Sequence, residues 1–178
     1  MIDKIIKEVQ SLSLETGLKK MTMDGLSDRL KISKKTLYEH FNSKDELIYQ
    51  TIHEYISENQ RILANELNNA NTYIEKLKIA CYHYLPYPIE FYKTNIEEIE
   101  RYYPSSAQII HNYIGESSNM IVQVYNDGIT NGVFNEQINP EVLIELSKSF
   151  LLTIPEIKDR QGITSSFFEI LLYGSVKR

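Results

Sequence analysis

The sequence predicts an all-α protein, in which a three-helix N-terminal domain is joined by a fourth helix to a larger helical C-terminal domain. Apolar residues recur along the chain at the three- and four-residue spacing of amphipathic helices. Capping residues, glycines and prolines divide this pattern into about nine segments. No segment alternates strictly between apolar and polar residues, as a half-buried β-strand would. We place the domain boundary after residue 47, which gives domains of residues 1–47 and 48–178.

The first two helices are predicted to be short and amphipathic. The first carries apolar residues that share one face: Ile2, Ile5, Ile6, Val9 and Leu12. Gly17 is expected to end it in a left-handed conformation. Thr22 is the predicted N-cap of the second helix, since the acidic Asp24 follows in its first turn. Leu26 and Leu30 form the buried side of that helix.

The third helix is expected to follow Ser33 and to bury Leu37 and Phe41, which stand four residues apart and share a face. Its other side chains include polar groups able to reach a phosphate or a base edge: Lys34, Lys35, Thr36, Tyr38 and His40. A helix, a turn of about three residues and a second helix with a polar outer face form the helix-turn-helix arrangement of DNA-binding domains.

The fourth helix is predicted to start at a capping box formed by Ser43 and Glu46 and to run to about Leu67. Lys44 lies in its first turn, where the helix dipole disfavours positive charge. Two interpretations of Lys44 stay open at this point, a solvated surface lysine and a phosphate contact.

Residues 22–27, 32–33 and 36–47 resemble the tetracycline-repressor (TetR) family of bacterial transcription regulators. Residues 36–47 are the most specific of these segments. A chance helix-turn-helix pattern would not also carry Leu-Tyr, Phe and Ser-Lys-Asp-Glu-Leu at the same spacing. The resemblance implies an N-terminal DNA-binding domain and a C-terminal ligand-binding and dimerisation domain. The DNA-binding residues expected are Thr22, Ser33, Lys34, Lys35, Thr36, Tyr38, His40 and Lys44. By the same resemblance, Tyr38 and Lys44 should touch phosphates, while Lys34, Lys35, Thr36 and His40 should lie near base edges.

Two features depart from the family pattern. The turn before Ile32 usually holds a small residue and then glycine, whereas this chain has Leu30 and Lys31. A lysine in a left-handed conformation pays a steric penalty that glycine does not, so the turn is either shaped differently or tolerates Lys31 there with its side chain pointing at the backbone. Gly25 falls inside the second helix, where it costs up to about 1 kcal/mol relative to alanine.

Charge is distributed unevenly along the chain. The net charge is −5 at pH 7, which argues against nonspecific nucleic-acid binding by the whole surface. Residues 19–44 hold seven basic and three acidic side chains, a net charge of +4, so the remainder carries −9. Positive charge is therefore concentrated around the third helix, where a DNA backbone would be attracted.

The C-terminal domain is predicted to hold five further helices. Thr72 and Glu75 form a capping box for the fifth, which the two prolines in residues 85–88 should end. The later helices are predicted at about residues 88–101, 104–131, 140–154 and 162–173. Ser105 and Gln108 are expected to cap the seventh helix as another box.

The last two helices carry more apolar surface than a small monomer can bury. The eighth holds Val142, Leu143, Ile144, Leu146, Phe150, Leu151 and Leu152, and residues 167–173 of the ninth are apolar nearly all round. Such a helix must be covered on more than one side. We expect a homodimer through these helices, the alternative being a helix wholly buried within one subunit.

The middle helices are rich in tyrosine, which lines pockets well because it is apolar with a polar tip. The residues predicted to line an effector site are Tyr82, His111, Tyr113 and Tyr125. Tyrosine is also an ordinary packing residue, so core or surface positions are the alternative. The effector is expected to be mostly apolar and aromatic-compatible, and its identity cannot be inferred.

No enzyme class fits the sequence. Phosphate-binding glycine loops, nucleophile elbows and metal-binding His-Glu motifs are missing, and we expect no cofactor and no metal. Cys81 and His83 stand about 200° apart on a helix and cannot share an ion. A single cysteine excludes an internal disulfide, and the lack of a long apolar segment predicts a cytoplasmic protein. Glu97, Glu98 and Glu100 are interpreted as a solvated acidic face.

The leading hypothesis is a transcription repressor that a small molecule releases from a palindromic DNA operator. Two alternatives stay open, a ligand-independent DNA-binding regulator and a helical module that binds a protein partner.

Overall fold

The computed structural model describes residues 1–84, 89–153 and 160–176, and within these ranges it is all-helical apart from one isolated β-bridge between Phe134 and Val176. The helices are α1 Ile2–Thr16, α2 Met23–Leu30, α3 Lys34–His40, α4 Lys44–Asn69, α5 Tyr73–Tyr82, α6 Ile89–Tyr102, α7 Pro104–Thr130, α8 Pro140–Thr153 and α9 Arg160–Ser175. The predicted all-α fold is confirmed. In the part of the chain described, no helix is long and apolar enough to cross a membrane.

The chain forms two compact units. The first comprises Met1–Ser57 and Glu90–His111, and the second comprises Glu58–Ile89 and Asn112–Arg178. Helices α4 and α7 are each continuous from one unit into the other. Most of α6 thus belongs with the N-terminal helices, a grouping that sequence spacing did not indicate. The division after residue 47 stays a prediction.

Helices α1, α2 and α3 pack around the apolar residues that the pattern singled out. Ile5, Val9, Leu26 and Leu37 are fully buried in this core. Each fully buried side chain of this size stabilises the fold by roughly 1.5–3 kcal/mol relative to exposure. Ile2 was expected to join them but is 47% exposed, because it is the first residue of α1.

Side-chain caps start most of the helices where the sequence predicted them. Thr22 accepts a hydrogen bond from the Gly25 N–H at 3.0 Å, and the Thr72–Glu75 capping box is complete. The box at α4 differs from the prediction. Ser43 accepts from the Glu46 N–H at 3.0 Å, but the Glu46 carboxylate accepts from the N–H of Asn42, one residue before the expected donor.

Two predicted helix starts differ from the structure, and two predicted breaks lie outside the described residues. Helix α7 starts at Pro104, so the predicted cap at Ser105 is wrong; proline suits this first position because it lacks the N–H that would go unpaired there. Helix α9 begins at Arg160, two residues before the expected start. The predicted breaks at residues 85–88 and 154–155 lie outside the described residues.

The turn between α2 and α3 holds Lys31 in the left-handed conformation, with φ 56° and ψ 43°. Its N–H donates to the Asp28 carbonyl at 3.2 Å, and the Ile32 N–H donates to the Ser27 carbonyl at 3.1 Å. This is the Schellman pattern that usually places glycine at the left-handed position. The turn therefore tolerates the lysine in this conformation under strain and is not shaped differently.

Replacing Lys31 by glycine is expected to raise the free energy of unfolding by about 1 kcal/mol, because glycine adopts this conformation without the steric cost. For a chain of this size the melting temperature should rise by about 2–4 °C. Lys31→Ala is the matched control, since it removes the same charge but keeps the Cβ that causes the strain. Equal melting temperatures for the two variants would contradict the assignment of strain to Lys31.

Candidate nucleic-acid interface

Helix α3 presents a polar surface and is anchored from beneath by two apolar residues. Leu37 is fully buried and Phe41 is 3% exposed. On the other side, Lys34, Lys35, Tyr38 and His40 are exposed, Tyr38 by 47%. A helix of seven residues is not stable alone, so this packing is what holds the polar face in place.

Side-chain hydroxyl groups cap the N-termini of both helices of the helix-turn-helix, α2 and α3. Ser33 Oγ accepts a hydrogen bond from the Thr36 N–H at 3.0 Å and lies 2.8 Å from Thr36 Oγ1. Thr22 plays the corresponding part at α2. The predicted DNA-binding residues Thr22 and Ser33 are therefore helix caps, whose first role is to pair backbone N–H groups.

Acidic neighbours hold three of the basic side chains near α3. Lys34 Nζ lies 2.6 Å from Asp24 Oδ2, and this hydrogen bond raises the pKa of Lys34. Lys35 lies 4.0 Å from Glu39, one helical turn away. Arg29 pairs with Glu8 and Glu15 on α1 at 2.6 and 2.7 Å. Arg29, which was counted in the basic segment, thus faces α1 and its charge is locally neutralised.

Lys44 is half-buried rather than freely solvated. Its Nζ donates to the Lys19 carbonyl at 3.2 Å and lies 5.9 Å from the centre of the Tyr103 ring. Burial lowers the pKa of Lys44, and the nearby Glu98 and Asp45 charges partly offset this effect. Lys44 is therefore only partly solvated, and its contact with a phosphate stays a prediction. The ammonium is fixed at the start of α4.

The acidic residues of α6 are not a uniform solvated face. Glu98 Oε2 accepts a hydrogen bond from the Lys19 N–H at 2.6 Å, and Glu100 lies 3.1 Å from His111 Nε2. Glu97 and Glu100 are both exposed and match the interpretation, whereas Glu98 is half-buried. The contact between Glu98 and Lys19 spans 79 residues of sequence, so no local pattern could have revealed it.

The four predicted effector contacts lie in different surroundings. Tyr125 is fully buried, donates to the Asn135 carbonyl at 2.9 Å and stacks on Phe134. Tyr82 is 44% exposed and lies edge-on to Phe168. His111 is exposed beside Glu100 and belongs to the first unit, whereas the other three residues belong to the second. Their role in ligand binding stays a prediction.

Tyr113 belongs to a chain of polar groups in the second unit that is buried except at Glu66. Its hydroxyl donates to the His83 carbonyl at 2.5 Å and accepts from the Asn59 side-chain amide. Asn59 Oδ1 faces His83 Nδ1 at 2.8 Å, and His83 Nε2 lies 3.1 Å from Glu66. Burial raises the pKa of Tyr113 to about 12, which keeps the phenol neutral. Asn59, Glu66 and His83 were not predicted as site residues, because α4 and the end of α5 come together only in the fold.

Apolar side chains remain uncovered on the last two helices of the second unit. Val142 and Leu146 of α8 are 51% and 46% exposed, and Ile170 of α9 is 74% exposed. Leu171, by contrast, is only half-exposed. On the same two helices, the rings of Phe150 and Phe167 stack with centres 3.9 Å apart.

Comparison with known proteins supports the resemblance inferred from sequence. Residues 10–50 match the family of bacterial regulatory proteins called the tetR family. This segment contains α2 and α3 together with the Ser33 and Ser43 caps. The helices α2 and α3 and the start of α4 are therefore similar to that family. No curated protein sequence matches the chain.

Solved structures share the fold over nearly the whole chain. The ketosteroid transcriptional regulator KstR2 of Mycobacterium tuberculosis has a TM-score of 0.82 at 15% identity, covering 99% of this chain and 95% of that one. A transcriptional regulator from Saccharomonospora viridis in complex with choline has a TM-score of 0.82 at 16% identity, with coverage of 99% and 98%. FadR from Bacillus subtilis in complex with stearoyl-CoA has a TM-score of 0.69 at 14% identity, with coverage of 98% and 99%.

Proposed function

We propose that this chain, whose residues 10–50 match the tetR family and whose fold is shared with regulators of that family, is a non-enzymatic DNA-binding transcription regulator. Specifically, we propose a homodimeric repressor that a small-molecule effector releases from a palindromic operator. The observation that carries the proposal is the polar face of α3, anchored by Leu37 and Phe41 within a helix-turn-helix that matches the family. This geometry suits insertion of α3 into a major groove.

In the proposed complex the two copies of α3 occupy successive major grooves about 34 Å apart. Tyr38 and Lys44 contact phosphates, and the exposed side chains of α3 approach base edges. Lys34 must exchange its ion pair with Asp24 for a DNA contact. That exchange costs little, because exposed ion pairs contribute little to stability.

The proposed effector binds within the second unit. The polar chain of Tyr113, Asn59 and His83 supplies hydrogen-bonding groups for a mostly apolar molecule. Proteins of similar fold bind ligands as different as choline and stearoyl-CoA. Fold similarity therefore does not identify the effector of this chain. The effector acts by binding the state with low DNA affinity more tightly than the other state.

Selection of bound sequences from random double-stranded DNA is the direct test of this function. We expect an inverted repeat with half-sites about one helical turn apart and binding that weakens steeply with salt. A protein-interaction module would enrich no sequence. A thermal-shift screen of metabolites, followed by titration of operator release, then separates a ligand-responsive repressor from a ligand-independent regulator.

Lys44→Ala is expected to weaken binding to all DNA sequences alike and to lower the slope of log affinity against log salt by about 1, because each phosphate contact releases about one counterion. Fluorescence anisotropy at several salt concentrations measures the slope. Lys76→Ala is the matched control, since Lys76 is also half-buried and lies 5.5 Å from a tyrosine ring, but in α5. A slope equal to that of the control would remove Lys44 from the phosphate contacts.

A further inference from the structure

The connection between α1 and α2 is held at one residue by side chains from two other helices. The Lys19 N–H donates to Glu98 of α6 at 2.6 Å, and the Lys19 carbonyl accepts from Lys44 of α4 at 3.2 Å. The Lys19 ammonium also donates to the Tyr102 hydroxyl of α6 at 3.2 Å. Both polar groups of the Lys19 backbone are therefore bonded to charged side chains.

Gly17 makes room for the carboxylate in this arrangement. It has φ 77°, and a Cβ placed on it would lie 3.1 Å from Glu98 Oε1, closer than most side chains tolerate. A carboxylate that accepts from a backbone N–H forms a stronger bond than a neutral acceptor does. Glu98 is thus fitted to the connection and fixes its position.

We propose that Glu98 is a positioning residue for DNA binding, which fixes Lys19 and, through the Lys19 carbonyl, holds the Lys44 ammonium toward a phosphate. The proposal rests on the proposed DNA-binding function. The proposal predicts a change in DNA affinity opposite in sign to the one that charge alone predicts. A negative charge in a DNA-binding unit repels phosphate, so electrostatics alone predicts that removing Glu98 strengthens binding. Positioning predicts that removing it weakens binding.

Three variants that remove one negative charge from α6 separate these effects. Glu97→Ala removes an exposed carboxylate for which no contact with Lys19 is seen, and it should bind DNA as tightly as the wild type or up to about twofold tighter. Glu98→Ala removes the same charge and the acceptor, and we expect roughly tenfold weaker binding. Glu98→Gln keeps an acceptor oxygen and should fall between them. Binding by Glu98→Ala as tight as that by Glu97→Ala would overturn the proposal.

A double-mutant cycle with Lys44 distinguishes positioning from general damage to the fold. If Glu98 acts through Lys44, Glu98→Ala should cost little further affinity in a Lys44→Ala background. Additive losses would show that Glu98 does not act through Lys44 and would overturn the proposal. Wild-type protein that selects no DNA sequence would instead overturn the proposed function, so the two failures are distinguishable.

Discussion

Replacing Ile170 by glutamate is expected to convert a homodimer into a monomer and to weaken operator binding by a factor on the order of 10²–10⁴. Ile170 is 74% exposed on α9, and Val142 and Leu146 of α8 are also uncovered. If a second subunit covers this surface, the substitution buries an unpaired charge twice, once in each copy of a symmetric interface. The affinity falls because one subunit holds only one half-site.

Light scattering at micromolar concentration measures the mass, and far-ultraviolet circular dichroism checks that the helices remain. Ile2→Glu is the control, since Ile2 is also an exposed isoleucine, at 47%, but lies on α1. The neighbouring Leu171 is a less suitable position for this substitution. Leu171 is half-buried, so changing it would also disturb packing within the subunit. A wild-type monomer, or a dimeric Ile170→Glu variant, would contradict the proposed interface.

The local features of this protein were readable from sequence, and the contacts between distant residues were not. Thr22 and Ser33 were identified as caps because capping depends on residues three positions apart. Leu37 was placed inside by the helical period alone. These signals involve neighbours in the chain, where geometry follows from helix dimensions.

Long-range pairing altered the interpretation of charged and polar residues. Arg29 looked like part of a basic surface, but Glu8 and Glu15 of α1 hold it. Glu98 looked solvated, but it binds a backbone N–H 79 residues away. Composition gives the number of charges in a segment and not their partners. The charge distribution on the surface of the first unit therefore depends on the packing of α1 and α6 as much as on the residues of α3.

Adjacent residues of α3 should give opposite results when each is changed to alanine. Leu37→Ala is expected to lower the free energy of unfolding by about 2–5 kcal/mol, since it removes a fully buried side chain and leaves a cavity. Tyr38→Ala should change stability by only about 0.5 kcal/mol, because the ring is 47% exposed. Tyr38→Ala should nevertheless weaken operator binding by roughly tenfold, through loss of a hydrogen bond to a charged phosphate.

Chemical denaturation and operator titration on the same two variants distinguish a residue that stabilises α3 from a residue that contacts DNA. At temperatures where Leu37→Ala is still folded, its affinity should recover toward the wild-type value, because the polar face of α3 is intact. The affinity of Tyr38→Ala should stay low at every temperature at which the protein is folded. Tyr38→Phe serves as the control, since it keeps the ring and removes only the hydroxyl. If Tyr38→Phe binds like the wild type, the hydroxyl makes no phosphate contact, and if Leu37→Ala is as stable as the wild type, α3 is not held by this core.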